Sequence, residues 1–165
     1  MDADWAGSWT HGSSHDPIST RSRSGFVIMY AGCPILWKSK IQSITALSTT
    51  EAEYIALSSA LREAIGVIHL MEDLKSHGFP MHNSTPKIRC RTFEDNKSCI
   101  SLALSHRTRP RTKHLSLRLH HFRSHIVNKT VTVEYVSTHD QIADIFTKPL
   151  AKPQFCKLRD ILMSW

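Results

Sequence analysis

Read for its apolar and polar positions, the chain opens with Met1-Asp2-Ala3-Asp4-Trp5, where acidic and apolar residues alternate as on a short strand. The stretch from Trp5 to Ser24 is rich in Gly, Ser, Thr and His, and Asp16-Pro17 is a turn signal, so it predicts a polar loop. Phe26 to Tyr30 and Pro34 to Lys38 are β-type runs separated by Gly32-Cys33-Pro34, the pattern of an antiparallel hairpin, and Ile41 to Leu47 would extend the second strand or add another. From Ser48 to about His77 the period changes. Leu57, Leu61, Ala64, Ile65, Ile68, Met71 and Leu74 recur at steps of three and four, and Gly78 and Pro80 stop the helix they predict. Lys87 to Phe93 alternates as a strand and runs through Glu94-Asp95-Asn96 into a short helix carrying Ile100, Ala103 and Leu104. Leu115, Leu119, Phe122 and Ile126 predict a further helix ending at Asn128, and Thr130 to Val136 predicts a strong strand. Two helices close the chain, Gln141 to Thr147 and, after Pro149 and Pro153, Phe155 to Trp165. Strands first in a hairpin and then alternating with helices predict a mixed α/β layer with helices packed on a sheet.

Composition narrows the class. A chain of 165 residues, 41% hydrophobic, is long enough for one core and too short for two comfortable domains. Its 21 Lys and Arg against 14 Asp and Glu favour an acidic partner such as a phosphate backbone, although charge alone does not separate an enzyme from a binder. Cys33, Cys90, Cys99 and Cys156 are scattered without the spacing of a zinc knuckle or redox motif, so buried free thiols and no disulfide-linked partner are expected. No segment resembles a signal peptide, and the longest apolar runs, such as Gly25 to Ala31, are far too short to cross a bilayer. A soluble intracellular protein with no membrane partner is expected.

Four acids sit where chemistry gathers in α/β sheets, at strand ends and helix starts. Asp2 and Asp4 would share one face of the opening strand, and the plain alternative is a frayed terminus with two solvated aspartates. Glu53 shares a stripe with Ala56, Leu57, Ala60, Leu61 and Ala64 and so points inward, whereas Glu51 aligns with Ile55, Ser58 and Arg62 and does not. Its plain alternative is a capping box with Thr50. Asp95 lies where a strand ends and a helix begins; either Asp95 or Asn96 is the expected N-cap, and Asn96 in that role would leave Asp95 for a metal. Asp144 falls beside Asp140 and Gln141 near a helix start, with Ile142, Ile145 and Phe146 facing the core; weak pairing with Lys148 at i,i+4 is its plain reading.

The context of these acids is similar to a known family. Asp2-Ala3-Asp4-Trp5-Ala6-Gly7, Ser22-Arg23-Ser24-Gly25-Phe26-Val27, Trp37-Lys38-Ser39-Lys40, Ser48-Thr49-Thr50-Glu51-Ala52-Glu53-Tyr54, Glu94-Asp95-Asn96-Lys97-Ser98, Arg111-Thr112-Lys113-His114 and Ala143-Asp144-Ile145-Phe146-Thr147-Lys148-Pro149-Leu150 occur in order. Together they resemble the RNase H domain that follows reverse transcriptase in the Pol polyprotein of copia-type retrotransposons. The resemblance implies an RNase H-like fold, a five-stranded mixed sheet flanked by helices, over 1–150, with 151–165 a C-terminal helix packing on or following it. It implies that Asp2, Glu53, Asp95 and Asp144 are the catalytic acids and hold two Mg²⁺ ions, with Mn²⁺ as a substitute. One ion would activate a water to attack the scissile phosphate in line and the other would stabilise the leaving 3′ oxygen, leaving 5′-phosphate and 3′-hydroxyl ends. The implied substrate is the RNA strand of an RNA–DNA hybrid, and the implied partner is the reverse transcriptase domain of the same polyprotein. The implied place of work is cytoplasmic, in a virus-like particle or reverse-transcription complex, with nuclear entry to follow.

Other residues take supporting roles in this reading. Asn96 is a candidate for the 2′-hydroxyl contact that tells RNA from DNA. Lys38 and Lys40 at the hairpin end, and Arg111, Lys113 and His114 in a basic run from His106 to His125, are candidates for gripping the hybrid, with a solvated helix face as the plain alternative. Asp4 and His139 are auxiliary candidates. Three features depart from the family pattern: the chain starts at Met1-Asp2, which makes the first strand short at its active end; Glu94 stands where many members have Cys; and Ser116 replaces an acid. Two functions therefore compete, an active endoribonuclease and a catalytically inactive module that binds nucleic acid or packs on reverse transcriptase. A DNA-strand-transfer enzyme of the same superfold fits the Lys38 and Lys113 contexts less well.

Overall fold

In the computed structural model, which describes residues 1–10, 16, 18–79, 87–105 and 121–163, the alternating runs are strands and the stretch of three-to-four spacing is one long helix. β1 (Asp2–Asp4), β2 (Arg23–Tyr30) and β3 (Cys33–Ile41) form an antiparallel sheet in that order. The hairpin turn falls one residue earlier than its sequence signal suggests. Ala31 and Gly32 form a two-residue loop with φ of 50° and 80°, the backbone that matches strand twist in tight hairpins. Cys33 and Pro34 belong to β3. Because Pro34 pairs with Met29 while Leu36 pairs with Ile28, Ile35 is an extra residue, and a bulge absorbs a proline that has no N–H for a regular ladder.

α1 (Thr49–Ser76) covers this sheet. Ser48 is its N-cap, accepting from the Glu51 N–H at 3.1 Å, and the Glu51 carboxylate returns to accept from the Leu47 N–H at 2.9 Å. The capping acid is thus Glu51 and not Glu53, and Glu51 is buried by that duty, contrary to the outward orientation that helix counting assigns it. Replacing Ser48 with alanine is expected to cost about 1 kcal/mol, read as a lowered urea midpoint with an unchanged slope. Ala56, Leu57, Ala60, Leu61, Ile65 and Ile68 make the buried face of α1. By length and composition alone α1 could span a bilayer, which the sequence reading did not foresee, but this face is occupied by the core, where Phe26, Phe122 and Val131 join it.

β4 (Cys90–Glu94) and β5 (Val131–Tyr135) pair in parallel, with α2 (Lys97–Leu104) and a helical stretch, α3, over 121–127 between them in sequence. The final pair of helices differs from expectation. Gln141 to Thr147 is not an α-helix; 3-10 turns span Thr138–Asp140 and Ile142–Phe146, separated by Gln141, whose ψ of 98° is extended. α4 (Lys152–Met163) begins three residues before Phe155, with Pro153 in its first turn, where a missing N–H breaks no helical bond. Gln154 and Lys157 donate to the His139 carbonyl at 2.8 and 3.2 Å and tie α4 to the 3-10 turns.

The chain is α/β, but the single five-stranded sheet implied by the resemblance is not one ladder among the described residues. Strands pair as three antiparallel and two parallel. β1 has only three residues, and its side toward β4 is marked by one contact, the Met1 ammonium donating to the Phe93 carbonyl at 3.2 Å. One bond does not make the repeating pattern of a ladder. Of the four thiols only Cys99 is buried; Cys33 is exposed and Cys90 and Cys156 are intermediate.

Candidate active site

Three acids from three different elements meet. β1 delivers Asp2, the second turn of α1 delivers Glu53, and the strand-to-helix junction after β4 delivers Asp95; one ligand oxygen from each lies within 4.8 Å of the others. Asp2 is fully buried and Glu53 is 7% exposed. Because Ser48 and Glu51 cap α1, Glu53 is released from that duty and turns inward, where its Oε2 has no hydrogen-bond partner. A parallel division of labour holds at α2. The Asn96 side chain caps the helix by accepting from the Cys99 N–H at 3.0 Å, and Asp95 is held instead by the Thr138 hydroxyl, which donates to its Oδ2 at 2.7 Å.

Asp144 approaches from the 3-10 turn Ile142–Phe146 and is 4% exposed, yet it stands outside that triad. It is joined to the site through Lys148, whose Nζ lies 2.9 Å from Asp2 Oδ1 and 3.1 Å from Asp144 Oδ1. The Thr147 hydroxyl donates to the other Asp2 oxygen. Gly25, which pairs with Asp2 across the sheet, makes this seating feasible: a Cβ there would stand 2.7 Å from Thr147 Cγ2 and 2.8 Å from Phe146 Cβ. Any side chain at position 25 would push the turn, and with it Asp144 and Lys148, off Asp2.

Packing a carboxylate out of water disfavours its charged form, and Glu53 and Asp144 show the effect. Burial, with the charges of Asp2, Glu94 and Asp95 adding, pushes the Glu53 carboxyl up to about 10. Burial and then the Asp2 charge push Asp144 up to about 7, with Lys148 offsetting part of the shift. Burial alone would lower the Lys148 ammonium, but Asp2 and Asp144 more than compensate and raise it. A set of hard oxygen ligands with a buried, unpartnered Glu53 oxygen is the chemistry that a divalent cation such as Mg²⁺ satisfies, so the residues fit such an ion.

Glu94 is the residue that sequence reasoning undervalued. It is fully buried, accepts from the Asn96 N–H at 2.9 Å through one oxygen, leaves Oε2 unpartnered, and is pushed up to about 7, chiefly by burial. The signal was present in β4, where Thr92 and Glu94 are buried while Arg91 and Phe93 face out. The auxiliary candidates fare differently. Asp4 is half-buried and turned toward Gly7, where an added Cβ would meet its Oδ2 at 1.9 Å. His139 is exposed, on the turn whose Thr138 holds Asp95.

Over 158 residues, 94% of its length, the chain is 33% identical to the "Retrovirus-related Pol polyprotein from transposon TNT 1-94" of Nicotiana tabacum, covering 11% of that protein. It is 34% identical over 154 residues to the Pol polyprotein from transposon RE2 of Arabidopsis thaliana, and 30% identical over 131 residues to the transposon Ty1-DR1 Gag-Pol polyprotein of Saccharomyces cerevisiae, covering 10% and 7% of those proteins. Its homologues are retrotransposon Pol polyproteins. The chain spans about a tenth of the length of the curated relatives it matches most fully. No family model matches, and no solved structure matches.

The Pol-like chain also carries a basic hollow, lined by none of the four acids. A cavity of about 520 Å³ is lined by Lys38, Lys40, Arg62, Ser59, Gln42 and His121, among others. Lys38 and Lys40 do not sit at the hairpin turn; they pair with Phe26 and Ser24 at the opposite end of β3. Lys38 and Arg62 share Glu63 at 3.4 and 3.5 Å. Arg111, Lys113 and His114 lie outside the described residues.

Proposed function

We propose that the chain is an RNase H domain of a copia-type element, an endoribonuclease that cleaves the RNA strand of RNA–DNA hybrids during reverse transcription. The observation that carries the reading is the convergence of Asp2, Glu53 and Asp95 within 4.8 Å at strand and helix ends, around a buried Glu53 oxygen with no partner. Asp2, Glu53, Asp95 and Asp144 would hold two Mg²⁺ ions, with Mn²⁺ as a substitute. Bound divalent cations would supply a more acidic water and a counter-charge for the leaving oxygen. The protein's own part would be to present the carboxylates, give up the proton that burial favours on Glu53, and set the phosphate between them. Lys38 and Lys40, with Arg62 joining them, would track the backbone of the hybrid, as would Arg111, Lys113 and His114. Asn96 spends its oxygen on the α2 cap, which leaves its amide N–H₂ for a 2′-hydroxyl. His139, exposed and next in sequence to the Thr138 that holds Asp95, would assist product release.

The fold of this reading has β1 between β2 and β4, continuing the two ladders as one mixed sheet; the Met1–Phe93 contact supports that order. The natural partner is the reverse transcriptase of the same polyprotein, working in a cytoplasmic virus-like particle or reverse-transcription complex. A second reading, a silent module that binds nucleic acid or packs on reverse transcriptase, draws on the short β1 that carries Asp2. One assay separates the two. The chain with Mg²⁺ and a hybrid labelled in its RNA is expected to release short RNA products, and Asp95→Asn is expected to leave the RNA whole. Intact RNA with both proteins, despite salt-sensitive binding of the hybrid, would establish the silent module instead.

A further inference from the structure

We propose that the Lys148 ammonium is the resident cation of the Asp2–Asp144 half of the site, and that a second divalent ion enters there only by displacing it. The inference rests on the metal-centre reading above and adds to it an order of binding. Asp2 and Asp144 are both buried, at 0% and 5% side-chain exposure, and Lys148 is the cation within ion-pair distance of both. Two buried carboxylates facing each other without a counter-charge repel strongly in a poorly solvated interior. Among the described residues the Lys148 ammonium, at 2.9 and 3.1 Å, supplies that charge, and the Thr147 hydroxyl adds a hydrogen bond to Asp2.

A divalent ion bound by the same two oxygens would sit about 2.1 Å from each. It would then share a few ångströms with the ammonium, like charge against like charge, so the two occupants exclude one another. The Asp2–Glu53–Asp95 side differs: Asp2 is common to both halves, but Glu53 and Asp95 have no lysine at ion-pair distance among the described residues, and Glu53 Oε2 is unpartnered. The first ion therefore finds an open place and the second finds an occupied one. Lys148 can leave, since its side chain is 30% exposed and its four-carbon stem is flexible.

Mn²⁺ titration of the full chain without nucleic acid, followed by the paramagnetic signal of free Mn²⁺, tests the order directly. Wild type is expected to bind one ion, with the second at least about 10-fold weaker. Lys148→Met is expected to bring the second affinity within about threefold of the first, while Lys148→Arg keeps the wild-type inequality. A melting experiment supplies an independent readout: Lys148→Met should melt lower than wild type in chelator and gain more from Mn²⁺. Should Lys148→Met fail to fold, the wild-type titration decides. Two ions of equal affinity in wild type, or a second site unchanged in a folded Lys148→Met, overturn the proposal while hybrid cleavage still stands. Absence of Mn²⁺ binding at millimolar concentration overturns both this inference and the metal centre on which it rests.

Discussion

Replacing Glu53 with glutamine is expected to raise the melting temperature of the metal-free chain and, in the same protein, to abolish cleavage of an RNA–DNA hybrid. The two effects have one origin. With its carboxyl pushed up to about 10 by burial and by three neighbouring acids, Glu53 is protonated in the folded chain at pH 8, whereas in the unfolded chain it is ionised. Folding must therefore take a proton from solution, at about 1.4 kcal/mol for each pH unit above the ordinary carboxylate value. Glutamine has nearly the same shape and needs no proton. A gain on the order of 1–3 kcal/mol remains after local relaxation, about 2–4 °C per kcal/mol for a chain of this size. The same substitution removes a charged ligand from the triad, so Mg²⁺-dependent cleavage should fall by more than the roughly 10–100-fold that changes around a metal's ligands cost. Thermal melts at pH 8 in chelator, beside the hybrid assay, check both halves. An unchanged or lower melting temperature would mean that Glu53 is not the strained group described above.

The second large effect is a stability that declines with pH when no divalent ion is present. Glu53 is raised to about 10, and Glu94 and Asp144 to about 7, all above their unfolded values. Each group thus contributes stability that is fully present below about pH 4 and is lost as pH rises through its folded value, because the folded chain binds more protons than the unfolded one. The window follows from the shifts: a first decline between about pH 4 and 7, shared by all three, and a further decline toward pH 10 from Glu53. The Met1 ammonium, lowered by burial and facing Glu94, Asp2 and Glu53, opposes this below its ordinary value of 8.0, but it is one group against three. Melting temperatures in chelator should therefore drop from pH 5.5 to 8.5. With Mg²⁺ or Mn²⁺ the trend should flatten or reverse, since the ions bind the deprotonated carboxylates. A rising curve in chelator would count against the whole account of the site.

Burial periodicity carried much of the fold in advance. The 3.6-residue stripe located α1 nearly to the residue and turned Glu53 inward, and the alternation of the strands located β2, β4 and β5. The same counting erred at Glu51, because capping can draw a residue inward against its position on the helix wheel. At the start of α2 the sequence left the cap open between Asp95 and Asn96, two equally good capping residues, and the structure gives it to Asn96, with Asp95 turned to the site. Glu94 was equally legible by alternation and needed only to be read as buried. The hairpin turn slipped by one residue, since Ala31 with Gly32 provides the positive φ values and Pro34 is absorbed in a bulge.

What local pattern contains, then, is the type of each element, the inward direction of each face, and the acids that stand at element ends, because these depend on periods of two and 3.6 residues and on capping within one turn. The meeting of those acids belongs to long-range packing. Asp2 reaches Thr147 and Lys148 across more than 140 residues, through a glycine whose missing Cβ admits the turn. At sequence level Lys148 is an ordinary i,i+4 partner of Asp144; only packing makes it the bridge between Asp144 and Asp2. The raised carboxyls have the same origin, since burial and proximity of charge exist only once β1, α1, β4 and the 3-10 turn are brought together.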